Sequence, residues 1–219
     1  MESLGIEEVI SQVRTKIDEI QLNESEDVLG TDDSDIDTII RSNINEAINY
    51  VVGNADVSLL EPNASISAEE EPNAIVDENG NEYKVSVSIK DLLRLVSVSA
   101  EGWPKSVSET IHSTLPEYAM LSNPYTTGTH ERPKVGCRNK KDETIIELFS
   151  VKEEEASWQI DYFKRRQEGD LTNDVEICTN LKDALIYYIT GLTLLAYKDT
   201  HADSFFNLAL VNMGLQPKS

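Results

Sequence analysis

The chain has 219 residues, and its 40 acidic against 19 basic side chains leave a net charge of −21. Such a charge excludes a phosphate-gripping surface over most of the molecule, and with it sequence-specific DNA binding. The length suffices for one large domain or two small ones around a self-sufficient core, and 39% hydrophobic with 27% charged residues predicts a folded body with extended polar segments.

The charge is uneven. Residues 1–83 hold 21 acidic and 3 basic side chains, net −18, whereas residues 84–219 hold 19 and 16, net −3. An acidic first third has two readings: a solvated, solubility-promoting surface, or a face that repels or slides past a polyanion. Cys137 and Cys178 have no paired spacing, so neither a disulfide framework nor a zinc site is expected, and reduced thiols in an intracellular product follow. The start, MESLGIEEVI, has no basic region leading into an apolar stretch and predicts no secretory signal. The most apolar run, Ala184 to Tyr197, is 14 residues and includes Thr190 and Thr193. It falls short of the roughly 18 to 20 residues a bilayer span needs and predicts a buried helix, with no membrane partner.

In chain order, Ile6, Val9, Ile10, Val13, Ile17 and Ile20 recur at spacings of three and four and predict an amphipathic helix over residues 2–21. Ser34, followed three residues later by Asp37, offers a cap to a second helix carrying Ile36, Ile39, Ile40, Ile44, Ala47, Ile48, Val51 and Val52 to a stop at Gly53-Asn54. From Gly53 to Ala74 the periodicity lapses into a long loop with Pro62, Pro72 and the run Glu69, Glu70, Glu71, expected to be mobile or ordered by a partner. Asn79-Gly80 between apolar runs predicts a hairpin over 75–87. A turn or helical entry at Lys90 to Leu92 then leads to a strand through Leu93, Leu95, Val96 and Val98, ended by Gly102 and Pro104. A short helix is expected near Ser108 to His112. Strands follow at Lys134 to Arg138, Thr144 to Val151 and Trp158 to Lys164, where alternation suits one buried face.

Two helices close the chain. The first, Leu181 to Lys198, is apolar nearly all round, so it is either central in the fold or packed on a neighbouring subunit. Gly191 in its middle costs about 1 kcal/mol against Ala, which a close backbone approach would explain. The second starts at Thr200 with Asp203 placed for a capping box and ends at Gly214, burying Ala202, Phe205, Phe206, Ala209, Leu210 and Met213. The expected class is α+β. Residues 1–74 supply N-terminal helices and a long acidic loop, 75–166 an inserted antiparallel β-sheet or sandwich, and 167–219 the helices that close a bundle with 1–53.

The chain contains no Gly-rich phosphate loop, H-E-x-x-H, G-x-S-x-G or C-x-x-C motif, which lowers the prospect of catalysis. Asp33, Asp35 and Asp37 mimic half a calcium loop, but Thr38 and Ile44 stand where Gly and Glu are required, so acids at a helix N-terminus are the better reading. His112, His130 and His201 are far apart in sequence. Cys137 on an alternating strand reads as a buried, inert thiol rather than the nucleophile of a Cys-His pair. Trp103 and Trp158 read as core residues or as partner anchors at strand ends. Lys140 and Lys141 on a turn, with Lys164, Arg165 and Arg166 at a strand end, read as solvated hairpin tips or as contacts to an acidic neighbour; Glu69, Glu70 and Glu71 are the acidic candidates.

Three stretches carry a resemblance: IKDLLRLVSVSAEGW, the pair TIIELFSV and WQIDYF, and the closing LKDALIYYITGLTLLAYKDTHADSFFNLALVNMG. Together they resemble the head-to-tail adaptor proteins of tailed bacteriophages, also called connector or head-completion ring proteins, of podovirus-type and crAss-like phages among them. The resemblance covers about the last two thirds of the chain in order of elements. It implies a helical bundle carrying an inserted β-region and a homo-oligomeric ring, typically dodecameric, at the capsid-tail junction of the virion, assembled in the host cytoplasm. The implied partners are the portal protein, other tail or ring proteins, further copies of the chain and duplex DNA passing without sequence-specific contact. No catalytic residue, cofactor or metal is implied. The long loop and the N-terminal acidity match no family motif, so the resemblance assigns them no contacts. Two other functions compete on the residues alone: an acidic module that mimics DNA or docks on a basic protein, and an enzyme whose site would bring Cys137 or a histidine beside a carboxylate.

Overall fold

The protein is described by a computed structural model covering residues 2–21, 33–70, 74–79, 82–123, 125–141, 143–167 and 174–217. The elements run β1 (Glu2–Gly5), α1 (Ile6–Gln21), α2 (Asp33–Asn54), β2 (Ala64–Ser67), β3 (Ile75–Asn79), β4 (Glu82–Lys90) and β5 (Leu92–Ala100). They continue with β6 (Ile111–His112), α3 (Pro116–Met120), β7 (Lys134–Lys140), β8 (Glu143–Val151), β9 (Trp158–Lys164), β10 (Asp174–Ile177), α4 (Lys182–Ala196) and α5 (Ala202–Asn212). The class is α+β. The chain forms two units, one from Met1–Glu61 with Arg166–Ser219, the other from Pro62–Arg165.

In the helical unit, α4 packs against α1, α2 and α5. That explains its apolar circumference: Leu185, Ile186, Ile189 and Leu194 are all buried, each contributing roughly 1.5–3 kcal/mol of hydrophobic stabilisation. The buried hydroxyls of Thr190 and Thr193 donate to the carbonyls of Ile186 and Ile189 at 2.8 and 2.9 Å, so neither is left unpaired. Val9, Val13 and Ile17 of α1 and Ile40, Ile44, Ile48 and Val52 of α2 are buried as their spacing predicts. Arg14 Nε donates to Asp37 Oδ1 at 2.7 Å, and Arg41 pairs with Glu7, tying α1 to α2 at the surface.

The β-unit is a sandwich. One sheet has the order β3-β4-β8-β7-β6 and the other β2-β9-β5. Val85, Val87, Ile146, Leu148 and Val135 from the first meet Leu95, Val98, Trp158, Ile160 and Tyr162 from the second in one core. The chain crosses between sheets at Asp91, which adopts φ 57° between β4 and β5, a conformation a short polar side chain tolerates.

Several expectations are corrected. Glu2–Gly5 is not helical but a strand paired antiparallel with β10, itself unforeseen, and this pairing overrides the helical period. The stretch from Gly53 to Ala74 is not one loop: it holds a 3-10 turn at Val57–Leu59 and the strand β2, ordered by the chain's own β9. The segment near Ser108 to His112 is extended, with β6 parallel to β7, and the short helix lies later, with Pro116 in its first turn. No capping box forms at Thr200 and Asp203; the backbone N–H of His201 donates to Asp199 Oδ1 at 2.7 Å instead. Asn79 pairs with Glu82 as a hairpin requires, while Gly80 and the side chain of Ser34 lie outside the described residues.

Candidate interaction surfaces

The β-unit buries a carboxylate, Glu147, 3% exposed on β8. Strand alternation turns it away from the sandwich core, where Ile146 and Leu148 point, and towards the opposite face. There it accepts the hydroxyl of Tyr118 and lies 3.6 Å from both Lys84 Nζ and Arg138 Nε. Two cations and a hydroxyl offset the desolvation of one buried carboxylate. Gly136, opposite Glu147 in register, leaves the room: a Cβ there would meet Phe149 at 3.0 Å and the Tyr118 ring at 3.1 Å. Burial, reinforced by the Glu147 hydrogen bond, pushes the Tyr118 hydroxyl up to about 12. This anchor holds α3 and its flanks on the sheet, and the same segment exposes Leu115, Met120 and Tyr125, the last 96% accessible.

The aromatic anchors singled out in sequence behave differently. Trp158 lies inside the sandwich at 6% exposure. Trp103 is half-buried, and its indole N–H donates to the Ser150 carbonyl at 3.0 Å, so its polar edge is already engaged. Lys140 and Lys141 are exposed at the β7-β8 tip, where Lys141 takes φ 31°. Lys164 and Arg165 are exposed at the end of β9 in the β-unit. Arg166 begins the second segment of the helical unit, its backbone exchanging hydrogen bonds of 2.9 Å with the Asn49 side-chain amide. Glu69 and Glu70 are exposed in the turn after β2, and Glu71 lies outside the described residues.

In the helical unit, sequence reasoning missed an aromatic cleft of about 450 Å³ lined by Tyr50, Tyr188, Asp203, Phe206, Asn207, Leu210 and Met213. Tyr50 and Tyr188 stack with centroids 4.3 Å apart and planes 10° apart, and Phe206 meets Tyr188 at 5.4 Å and 55°. Burial, with Tyr50 and Glu46 nearby, pushes the Tyr188 hydroxyl up to about 12, so it stays neutral at ordinary pH. The signal is present in sequence as residues 203, 206, 207 and 210 on one helical face, but the sequence reading places Phe206 and Leu210 in the core and Asp203 in a cap, and gives Asn207 no role. Around the cleft the unit as a whole is acidic, with 22 Asp/Glu against 7 Lys/Arg, net −15; the β-unit has 18 against 12, net −6.

The nucleophile candidates sit in a different chemical setting. Burial pushes both thiols up, Cys137 further through Glu147, which is opposite to the direction that activates a nucleophile. His112 stands in register with Cys137, yet its Nδ1 lies 2.9 Å from the Thr114 hydroxyl. His130 faces Glu82 at 3.0 Å and His201 faces Asp199 at 2.9 Å. Among the described residues no three His, Cys, Asp or Glu side chains are grouped to hold a metal ion. No described helix is long and apolar enough to cross a membrane. No protein-family model matches the chain, and no curated protein matches it.

Proposed function

We propose that this chain is a non-catalytic structural subunit of a virion: one copy of a homo-oligomeric ring that joins the portal to the tail and surrounds the DNA exit channel. The observation that carries the reading is how the three family-like stretches map onto elements. The first forms the corner from β4 into β5, the pair forms the inner strands β8 and β9 of the two sheets, and the last forms the packed pair α4 and α5. The stretches that carry the resemblance are therefore ones that bear the fold.

Exposed apolar side chains on both units supply material for subunit contacts: Leu195, Leu208 and Val211 on one, Ile75, Leu115, Met120 and Tyr125 on the other. A net charge of −15 on the helical unit suits a lumen past which duplex DNA slides, since basic side chains would retain it by counterion release. The same charge favours a second reading, an acidic module that docks on a basic protein. Co-expression with the portal and tail genes encoded beside it separates the two. The ring reading expects co-purification with the portal at a fixed, multi-copy stoichiometry by native mass spectrometry. The acidic module expects a one-to-one complex with a basic protein that weakens steeply with salt.

A further inference from the structure

We propose that the cleft formed by Tyr50, Tyr188 and Phe206, with Asp203 in its lining, is a socket for an arginine side chain presented by a partner protein. Its volume, about 450 Å³, lies within the range of sites that enclose small groups. Three rings in contact give an extended aromatic wall, and Tyr50, 36% accessible, is open to solvent. A cation over such rings is attracted by their quadrupoles. Asp203, exposed in the first turn of α5, adds a carboxylate, and Asn207, one turn further on, adds an amide.

Arginine suits this chemistry better than lysine. Its guanidinium is planar, stacks on aromatic faces and binds a carboxylate through a fork of donors, while being less strongly hydrated than an ammonium. Charge complementarity argues for the cation, because the socket belongs to the unit with a net charge of −15. Beside the cleft residues of α5, Leu208 and Val211 are exposed three residues apart on the same helix, so the arginine is expected within a segment carrying apolar neighbours. The inference stands on the cleft itself and does not depend on the ring reading.

The test is a titration of the full chain with N-acetyl-arginine-N-methylamide, followed by amide chemical shifts, with the citrulline analogue as the neutral isostere. The socket expects saturable shifts confined to the surroundings of Tyr50, Tyr188, Asp203 and Phe206 with the arginine probe and none with citrulline. Asp203→Asn and Tyr50→Leu, both at accessible positions, are expected to weaken the arginine probe about fivefold or more each, with the remaining spectrum unchanged. Equal response to citrulline, shifts spread over the acidic surface and indifferent to both substitutions, or no response would each overturn the proposal. Self-association of the wild-type chain that Asp203→Asn abolishes would make the occupant a second copy, overturning the assignment to a different partner.

Discussion

Gly191 on α4 faces Phe206 of α5: a Cβ built there would approach the Phe206 ring to 2.7 Å. Helix propensity alone favours Ala at this position by about 1 kcal/mol, and the crowding opposes it. Phe206 lines the cleft on one side but packs against Tyr188 on another, so the ring can give only by loosening that contact, and Gly191→Ala is expected to destabilise the helical unit by about 1–3 kcal/mol. Amide exchange in α4 would report this, and unchanged or increased protection would mean that the ring yields. The tyrosine hydroxyls give a second residue-scale expectation. Tyr118 and Tyr188 are raised from 10.0 to about 12 in the folded state, so the folded protein keeps protons that the unfolded chain releases first. Their contribution is therefore complete below pH 10 and is lost as pH rises through 12. Tyr188→Phe keeps the ring stack and removes one titration; its melting temperature is expected to fall less between pH 9 and pH 11, as an approximate window, than that of the wild type. An equally steep fall would contradict the shift.

At the scale of elements, the segment carrying α3 has little regular structure and depends on what lies beneath it. Glu147→Gln keeps a partner for the Tyr118 hydroxyl but removes the charge facing Lys84 and Arg138. Both cations retain solvent access, at 25% and 48%, so the expected cost is about 1.5–3 kcal/mol rather than that of a fully buried pair. Faster hydrogen exchange across residues 113–123 would confirm the anchor, and unchanged exchange would show that packing on Gly136 suffices. The same elements explain what was legible in advance. Long periodic runs such as Ile36 to Val52 declare their buried face because one period repeats over several turns, whereas the alternation of TIIELFSV announces a strand but not its burial, since β8 is buried on both faces from Ile146 to Val151. The strands β1, β2, β6 and β10 have two to four residues each, too few to establish a period, and are set by the strand each one meets. The hydroxyl of Tyr118 and the carboxylate of Glu147 are 29 positions apart, and nothing in sequence pairs them before the sheet register is known.

For the whole molecule, the division into a helical unit and a sandwich matters more than total charge. Of the 19 basic side chains the β-unit holds 12, which leaves the helical unit as the strongly acidic body, net −15, and the β-unit as the less acidic one, net −6. In the proposed ring the more acidic unit faces the nucleic acid, while exposed apolar side chains on both units meet protein neighbours. The acidic third is a division by sequence position, whereas the two units divide at residues 61 and 166, with residues 62–74 joining the β-unit through the pairing of β2 with β9. The most direct test of the central claim is electron microscopy of the chain co-expressed with the portal and tail proteins encoded beside it. The account expects a closed ring of copies seated on the portal, with the helical unit towards the channel. Monomers that never join the portal would contradict it and favour the acidic docking module.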